Sequence, residues 1–162
     1  RKNVAVFATR YTVNSHVFIE ETRRRAPEIN VVQQACPSLV RLIEAAAPLP
    51  DLRRAVRRYV ALLLRRLNGE HLAAALLGCT HYPLIEDLFV EALPSHVEIF
   101  SQPKITANSL AAYLARHPEF LDSREPGISF STSATPENIT KLANRFFGSN
   151  QIQFNELTGV GC

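Results

Sequence analysis

Two periodicities alternate along the chain. Short apolar runs of strand length occupy residues 4–7, 31–34, 72–77, 96–100, 128–132 and 152–154. Between them apolar residues return every three or four positions, as on one face of a helix. The helical stretches end before Pro27 and at Glu44, cover 51–67 and 82–93, run from 103 to about 117, and cover 136–147. Gly, Pro, Asn and Ser punctuate the joins. The run Leu72-Ala73-Ala74-Ala75-Leu76-Leu77 suits a helix by composition alone. Its short length between Gly69 and Gly78, with Pro83 opening a helix beyond it, predicts a buried strand instead. Regular alternation of strand and helix predicts an α/β fold built on a parallel sheet, whose ligands sit at the carboxyl ends of the strands. No internal repeat of fixed short period is present.

The segment 51–67 carries the chain's densest charge. On a helix turning about 100° per residue, Leu52, Val56, Tyr59, Val60, Leu63 and Leu67 share one face, and Arg53, Arg54, Arg57, Arg58 and Arg65 occupy the other. Asp51 is expected as its N-cap. With 162 residues, a net charge of +3 and a pI near 9.0, the chain invites a polyanion partner. No aromatics interleave the arginines and no nucleic-acid motif accompanies them, so the basic face is expected to be a solvated helix side, with no nucleic acid bound.

Composition then narrows the class. A chain with 46% hydrophobic and 20% charged residues is neither disordered, collagen-like nor disulfide-dense. No apolar run approaches the ~20 residues that span a bilayer, and the first residues lack a signal-peptide core, so no membrane is expected and the cytoplasm is the expected compartment. Three cysteines without an export signal are expected to be reduced thiols. The absence of methionine and the opening directly into an apolar run lead to the expectation that the chain is part of a longer one.

Three strand-to-helix turns collect the candidate chemistry: residues 8–15, 35–37 and 78–83. The last is the richest. In Gly78-Cys79-Thr80-His81-Tyr82-Pro83, a thiol leaves a buried strand just before a helix start, whose partial positive charge favours thiolate. An imidazole stands two residues on, and free backbone N–H groups suit a carboxylate. Cys79 is therefore expected to ionise more readily than Cys36, for which a buried structural role is expected. A structural zinc site needs about four ligands, and Cys36 and His71 lie in no standard spacing with this turn. His16, His71, His96 and His117 have no convergent partner in the sequence and are expected to be structural or exposed, and Cys162 is expected to be frayed.

The segment Gly78-Cys79-Thr80-His81-Tyr82-Pro83-Leu84 resembles the second catalytic cysteine motif of the glutamate racemases, of the aspartate/glutamate racemase superfamily. Ala8-Thr9-Arg10-Tyr11-Thr12-Val13-Asn14-Ser15 resembles the family's Gly-Thr-x-x-Thr turn, and Ala35-Cys36-Pro37 through Leu42-Ile43-Glu44 resembles its Ala-Cys-Pro segment. The tail, with Ser129-Phe130-Ser131-Thr132-Ser133 and Ala143-Asn144-Arg145-Phe146-Phe147-Gly148, is similar to the family's closing strand and helix. The resemblance implies cofactor-independent interconversion of L- and D-glutamate through two thiols, supplying D-glutamate for peptidoglycan. It implies that Cys79 is a catalytic thiol, His81 its proton partner and Glu44 the group orienting His81. Thr80, Thr9 and Thr12 are implied in binding the substrate, with no cofactor and no metal; a homodimer is compatible with it.

Departures from the family accompany the matches. Ala8 stands where the family prefers glycine, and Ser101-Gln102-Pro103 where an aspartate commonly follows the strand. The family's opening Asp-Ser-Gly turn and its Cys-Asn-Thr motif, which carries the first catalytic cysteine, are missing. The chain is thus expected to be the C-terminal part of a racemase: residues 1–102 form the second α/β lobe with Cys79, and residues 103–162 return to the first lobe. The alternative is a catalytically incomplete fragment that binds a small carboxylate or a partner chain.

Overall fold

The computed structural model describes residues 2–121, 128–133, 135–147 and 152–157. Two compact units are present, Arg1–Arg116 and His117–Cys162. The expected division after residue 102 falls at the start of a helix that the structure groups with the first unit.

In the first unit the chain runs β1 (Lys2–Ala8), α1 (Arg10–Asn14), α2 (Val17–Arg25), β2 (Ile29–Ala35), α3 (Leu39–Glu44), α4 (Leu49–Leu67) and β3 (Leu72–Leu77). A 3-10 turn (Tyr82–Ile85) then leads into α5 (Glu86–Ala92), followed by β4 (Glu98–Ser101) and α6 (Gln102–Arg116). The sheet is parallel in the order β2-β1-β3-β4. Phe7 lies level with Gln34 and Leu77, and Leu77 with Ser101, so the four carboxyl ends form one rim. From β1 the chain steps outward to β2; from β3 it steps the opposite way to β4. The reversal puts the topological switch point, where open α/β sheets bind ligands, at the ends of β1 and β3.

One sheet face carries the core. Ala5 and Phe7 of β1 and Ala75 and Leu77 of β3 pack with Leu39 and Ile43 of α3, Val56, Val60 and Leu63 of α4, and Phe89 of α5. All six expected apolar positions of α4 are buried. At about 1.5–3 kcal/mol per fully buried large aliphatic side chain, this helix is held by its face rather than by its propensity. Three of its arginines have partners among the described residues: Arg53 pairs with Glu91 of α5 at 2.9 Å and Arg54 with Asp51. Arg66 donates to the Gln33 carbonyl at 2.8 Å and to Gln34 Oε1 at 2.7 Å, covering the edge strand β2.

Several boundaries moved for identifiable reasons. Helix α4 starts at Leu49 with Pro48 in the cap position, and Asp51 lies in its first turn, not at the cap. A proline early in a helix has the right φ and lacks only an N–H that would have no partner there. The turn after β1 contains a short helix, α1, because the Thr9 side chain accepts from the Thr12 amide and caps it. β4 begins at Glu98 rather than 96, since a Val97-to-Pro94 backbone bond closes a turn before it. His71 and His96, expected to lack partners, stack at 5.0 Å, and His117 Nδ1 lies 2.9 Å from Glu119.

The second unit holds a parallel pair, β5 (Phe130–Thr132) and β6 (Phe154–Glu156), joined through α7 (Pro136–Phe147). Phe130 and Phe154 face each other at 5.4 Å. β6 starts two residues later than expected because the Ile152 amide is taken by Asn144 Oδ1 of α7. Gly148 and Cys162 lie outside the described residues. Among the described residues no helix is long and apolar enough to cross a membrane.

Candidate active site

Three turns are tied together at the rim. The Gly78 amide donates to the Phe7 carbonyl at 2.8 Å, and the Cys36 amide donates to the Ala8 carbonyl at 2.9 Å. The turns after β1, β2 and β3 are therefore locked to one another by backbone, and their side chains inherit that placement. Ala8 is fully buried at the end of β1, so its methyl group is accommodated in the packing.

Gly78 is required by space. A Cβ there would lie 3.2 Å from Val6 Cγ1, 3.3 Å from Phe18 Cε2 and 3.3 Å from the Phe7 carbonyl oxygen. Gly78→Ala is expected to cost about 1–3 kcal/mol by overpacking, read as a lower urea midpoint. An unchanged midpoint would mean that the turn has room to give.

The turn Gly78–Tyr82 delivers Cys79, Thr80 and His81, and α3 brings Glu44 to them. His81 Nε2 lies 3.0 Å from Glu44 Oε1, while His81 Nδ1 lies 4.0 Å from Cys79 Sγ and 3.5 Å from Thr80 Oγ1. An ionised carboxylate only accepts, so a neutral His81 carries its proton on Nε2 toward Glu44. That tautomer presents the Nδ1 lone pair to the thiol, an arrangement that can move a proton between sulfur and imidazole. Thr9 and Thr12 stand on the neighbouring turn, their hydroxyls 3.0 Å apart, half-buried and linked to each other.

The two described thiols differ sharply. Cys36 is buried, donates to the Gln34 carbonyl at 3.5 Å, and is pushed far above the ordinary thiol range by burial. Cys79 is half-buried. Burial raises its pKa too, as does the charge of Glu44, against the lowering effect of the His81 and Tyr82 backbone amides. The amides of the turn thus offset the desolvation only in part, and the net effect holds the Cys79 thiol above its ordinary range. The expected order of the two cysteines stands. Iodoacetamide at neutral pH is expected to alkylate Cys79 roughly tenfold or more faster than Cys36, followed by peptide mass spectrometry. Faster labelling of Cys36 would contradict this burial pattern.

The structure thus brings Cys79, Thr80, His81 and Glu44 together and sets Thr9 and Thr12 on the adjoining turn. Among the described residues no group of three or more His, Cys, Asp or Glu is placed to hold a metal ion. Sequence reasoning missed the buried hydroxyls of Tyr59 and Tyr82 next to the site. Their only signal was a tyrosine on the apolar face of α4 and another inside the motif.

No family model matches the chain. The glutamate racemase of Phenylobacterium zucineum is 39% identical over 145 residues, which is 90% of this chain and 51% of that protein. A glutamate racemase isoform from Bacillus anthracis superposes with a TM-score of 0.81 at 26% identity, covering 96% of this chain and 57% of that one. The glutamate racemase of Francisella tularensis, solved with D-glutamate, has the same fold: TM-score 0.78, 23% identity, covering 99% of this chain and 58% of that one. The chain spans about half the length of the curated relatives it matches.

Proposed function

The chain is a homologue of the glutamate racemases, and from that relationship we propose that it supplies one catalytic face of a cofactor-independent glutamate racemase. The observation that carries the reading is the Glu44–His81–Cys79 series at the switch point of the sheet. The α-proton of glutamate is very weakly acidic, so its removal needs a base aimed at carbon and donors around the carboxylate. In this reading His81 Nδ1 takes the Cys79 proton and Glu44 steadies the imidazolium. The thiolate then takes the α-proton of L-glutamate, leaving the electron pair delocalised into the substrate carboxylate. A second thiol returns a proton to the opposite face and becomes the thiolate, which completes inversion. Thr80, Thr9 and Thr12 hold the substrate.

Cys36 does not suit the part of the second thiol, because it is sealed in the core with its sulfur bonded to a carbonyl. The reading therefore places the second thiol outside the described residues. On the same reading the product D-glutamate serves peptidoglycan synthesis. A second reading, a fragment that binds a small carboxylate without turning it over, is favoured by the same sealed Cys36. Incubation with L- or D-glutamate in D2O, followed by NMR and chiral analysis, separates them. Deuterium at the α-carbon of L-glutamate without inversion supports one working face. Binding with no exchange favours the fragment, and inversion by the chain alone would overturn the assignment of a single thiol.

A further inference from the structure

Helix α3 has six residues, too few to be stable unaided, and its N-cap Ser38 makes no side-chain capping bond. Leu39 and Ile43 seat it in the core, and its start is gripped in addition by two tyrosines from different elements. Tyr59, buried on α4, has its hydroxyl 2.8 Å from Ser38 Oγ and accepts from the Ser38 amide at 3.4 Å, holding the cap residue from outside the helix. Tyr82, fully buried in the turn after Cys79, donates its hydroxyl to the Cys36 carbonyl at 3.4 Å. Its ring is wedged against Phe89 at 5.9 Å, so the hydroxyl has little freedom to follow a moving partner.

The far end of α3 carries Glu44, which is exposed and whose one hydrogen-bond partner among the described residues is His81. His81 is the neighbour of Tyr82 in sequence. A small tilt of the short helix at its start would therefore lengthen the 3.0 Å Glu44–His81 contact, since Glu44 itself is exposed and only Ile43 beside it is seated in the core. We propose that Tyr59 and Tyr82 are positioning residues, whose buried hydroxyls fix α3 so that Glu44 stays on His81 and holds it in the Nε2–H tautomer. The importance of this for catalysis rests on the racemase reading; the mechanical role does not.

The test is nitrogen NMR of the histidine rings in the 162-residue chain, comparing wild type with Tyr59→Phe, Tyr82→Phe, the double variant and Glu44→Ala. Phenylalanine keeps the ring and removes only the hydroxyl. The double variant is expected to remain folded by circular dichroism and to show the His81 spectrum of Glu44→Ala: mixed tautomers, and an Nε2–H exchanging with water about tenfold faster or more. Leu72→Ala, a core variant at the opposite end of β3, is expected to leave His81 unchanged. A wild-type His81 spectrum in the double variant overturns the proposal, and so does the same change in Leu72→Ala. If the double variant does not fold, Tyr59→Phe decides by the same criterion. A wild-type chain with the Nε2–H signature but no α-carbon exchange would count against the racemase reading while leaving the positioning role intact.

Discussion

Cys79→Ser is expected to lower deuterium incorporation at the α-carbon of L-glutamate by about 10²–10⁴, the range for a positioned general acid or base. The oxygen nearly copies the sulfur in shape, and the half-buried site asks little of its volume. What changes is the acid–base chemistry, because a hydroxyl is far harder to ionise than a thiol even with His81 Nδ1 beside it. The fold should not register the swap: the urea midpoint is expected to correspond to a change within about 0.5 kcal/mol. The measurement is α-proton exchange by NMR at neutral pH, with the denaturation curve as its companion. Exchange at the wild-type rate would remove Cys79 from the mechanism. Parallel loss of exchange and of stability would show that the sulfur serves packing instead.

Phe89→Ala is expected to be the most destabilising of the substitutions considered, at about 3–5 kcal/mol. Phe89 is fully buried between Phe7 of the central strand, at 5.1 Å, and Tyr82, at 5.9 Å. Removing the ring leaves a cavity directly beneath the site turn, between two rings that cannot both collapse into it while β1 and the Gly78 bond to Phe7 hold them. A loss of this size is a large share of the 5–15 kcal/mol that typically holds a domain together. Urea unfolding followed by circular dichroism reads it, and Cys79 alkylation should speed up alongside as the floor under its turn loosens. Phe120→Ala provides the contrast: that ring is 61% exposed, and its loss is expected to stay within about 0.5 kcal/mol. A small effect at Phe89 would mean that the core closes over the gap.

Local physics made much of the architecture legible. Alternating periods of two and 3.6 separated strands from helices, and the apolar face of α4 was visible position by position because burial there follows the helical repeat. The strand at 72–77 was legible against its own helix-like composition, because glycines bracket it and the run is too short to hold a helix of its own. Local chemistry likewise marked Cys79, Thr80 and His81, which are adjacent in sequence and reach the same turn by covalent connection. Boundaries such as the start of β4 and β6 depended on single hydrogen bonds, a Val97-to-Pro94 turn and the Asn144 side chain on the Ile152 amide, which periodicity does not record.

What the sequence determined by itself was thus the α/β alternation, the buried faces and the cluster of reactive groups after β3. Which strands are neighbours, and hence that the ends of β1 and β3 form the switch point, was decided by pairing across the sheet. The approach of Glu44 to His81 across 37 residues was suggested only through resemblance, and its geometry depends on a short helix gripped by two tyrosines. The direction of the Cys79 shift was also decided in three dimensions: the amides of the turn lower it, but burial, with the nearby carboxylate, raises it by more. Desolvation and through-space charge are properties of the packed chain, and no local pattern of residues carries them.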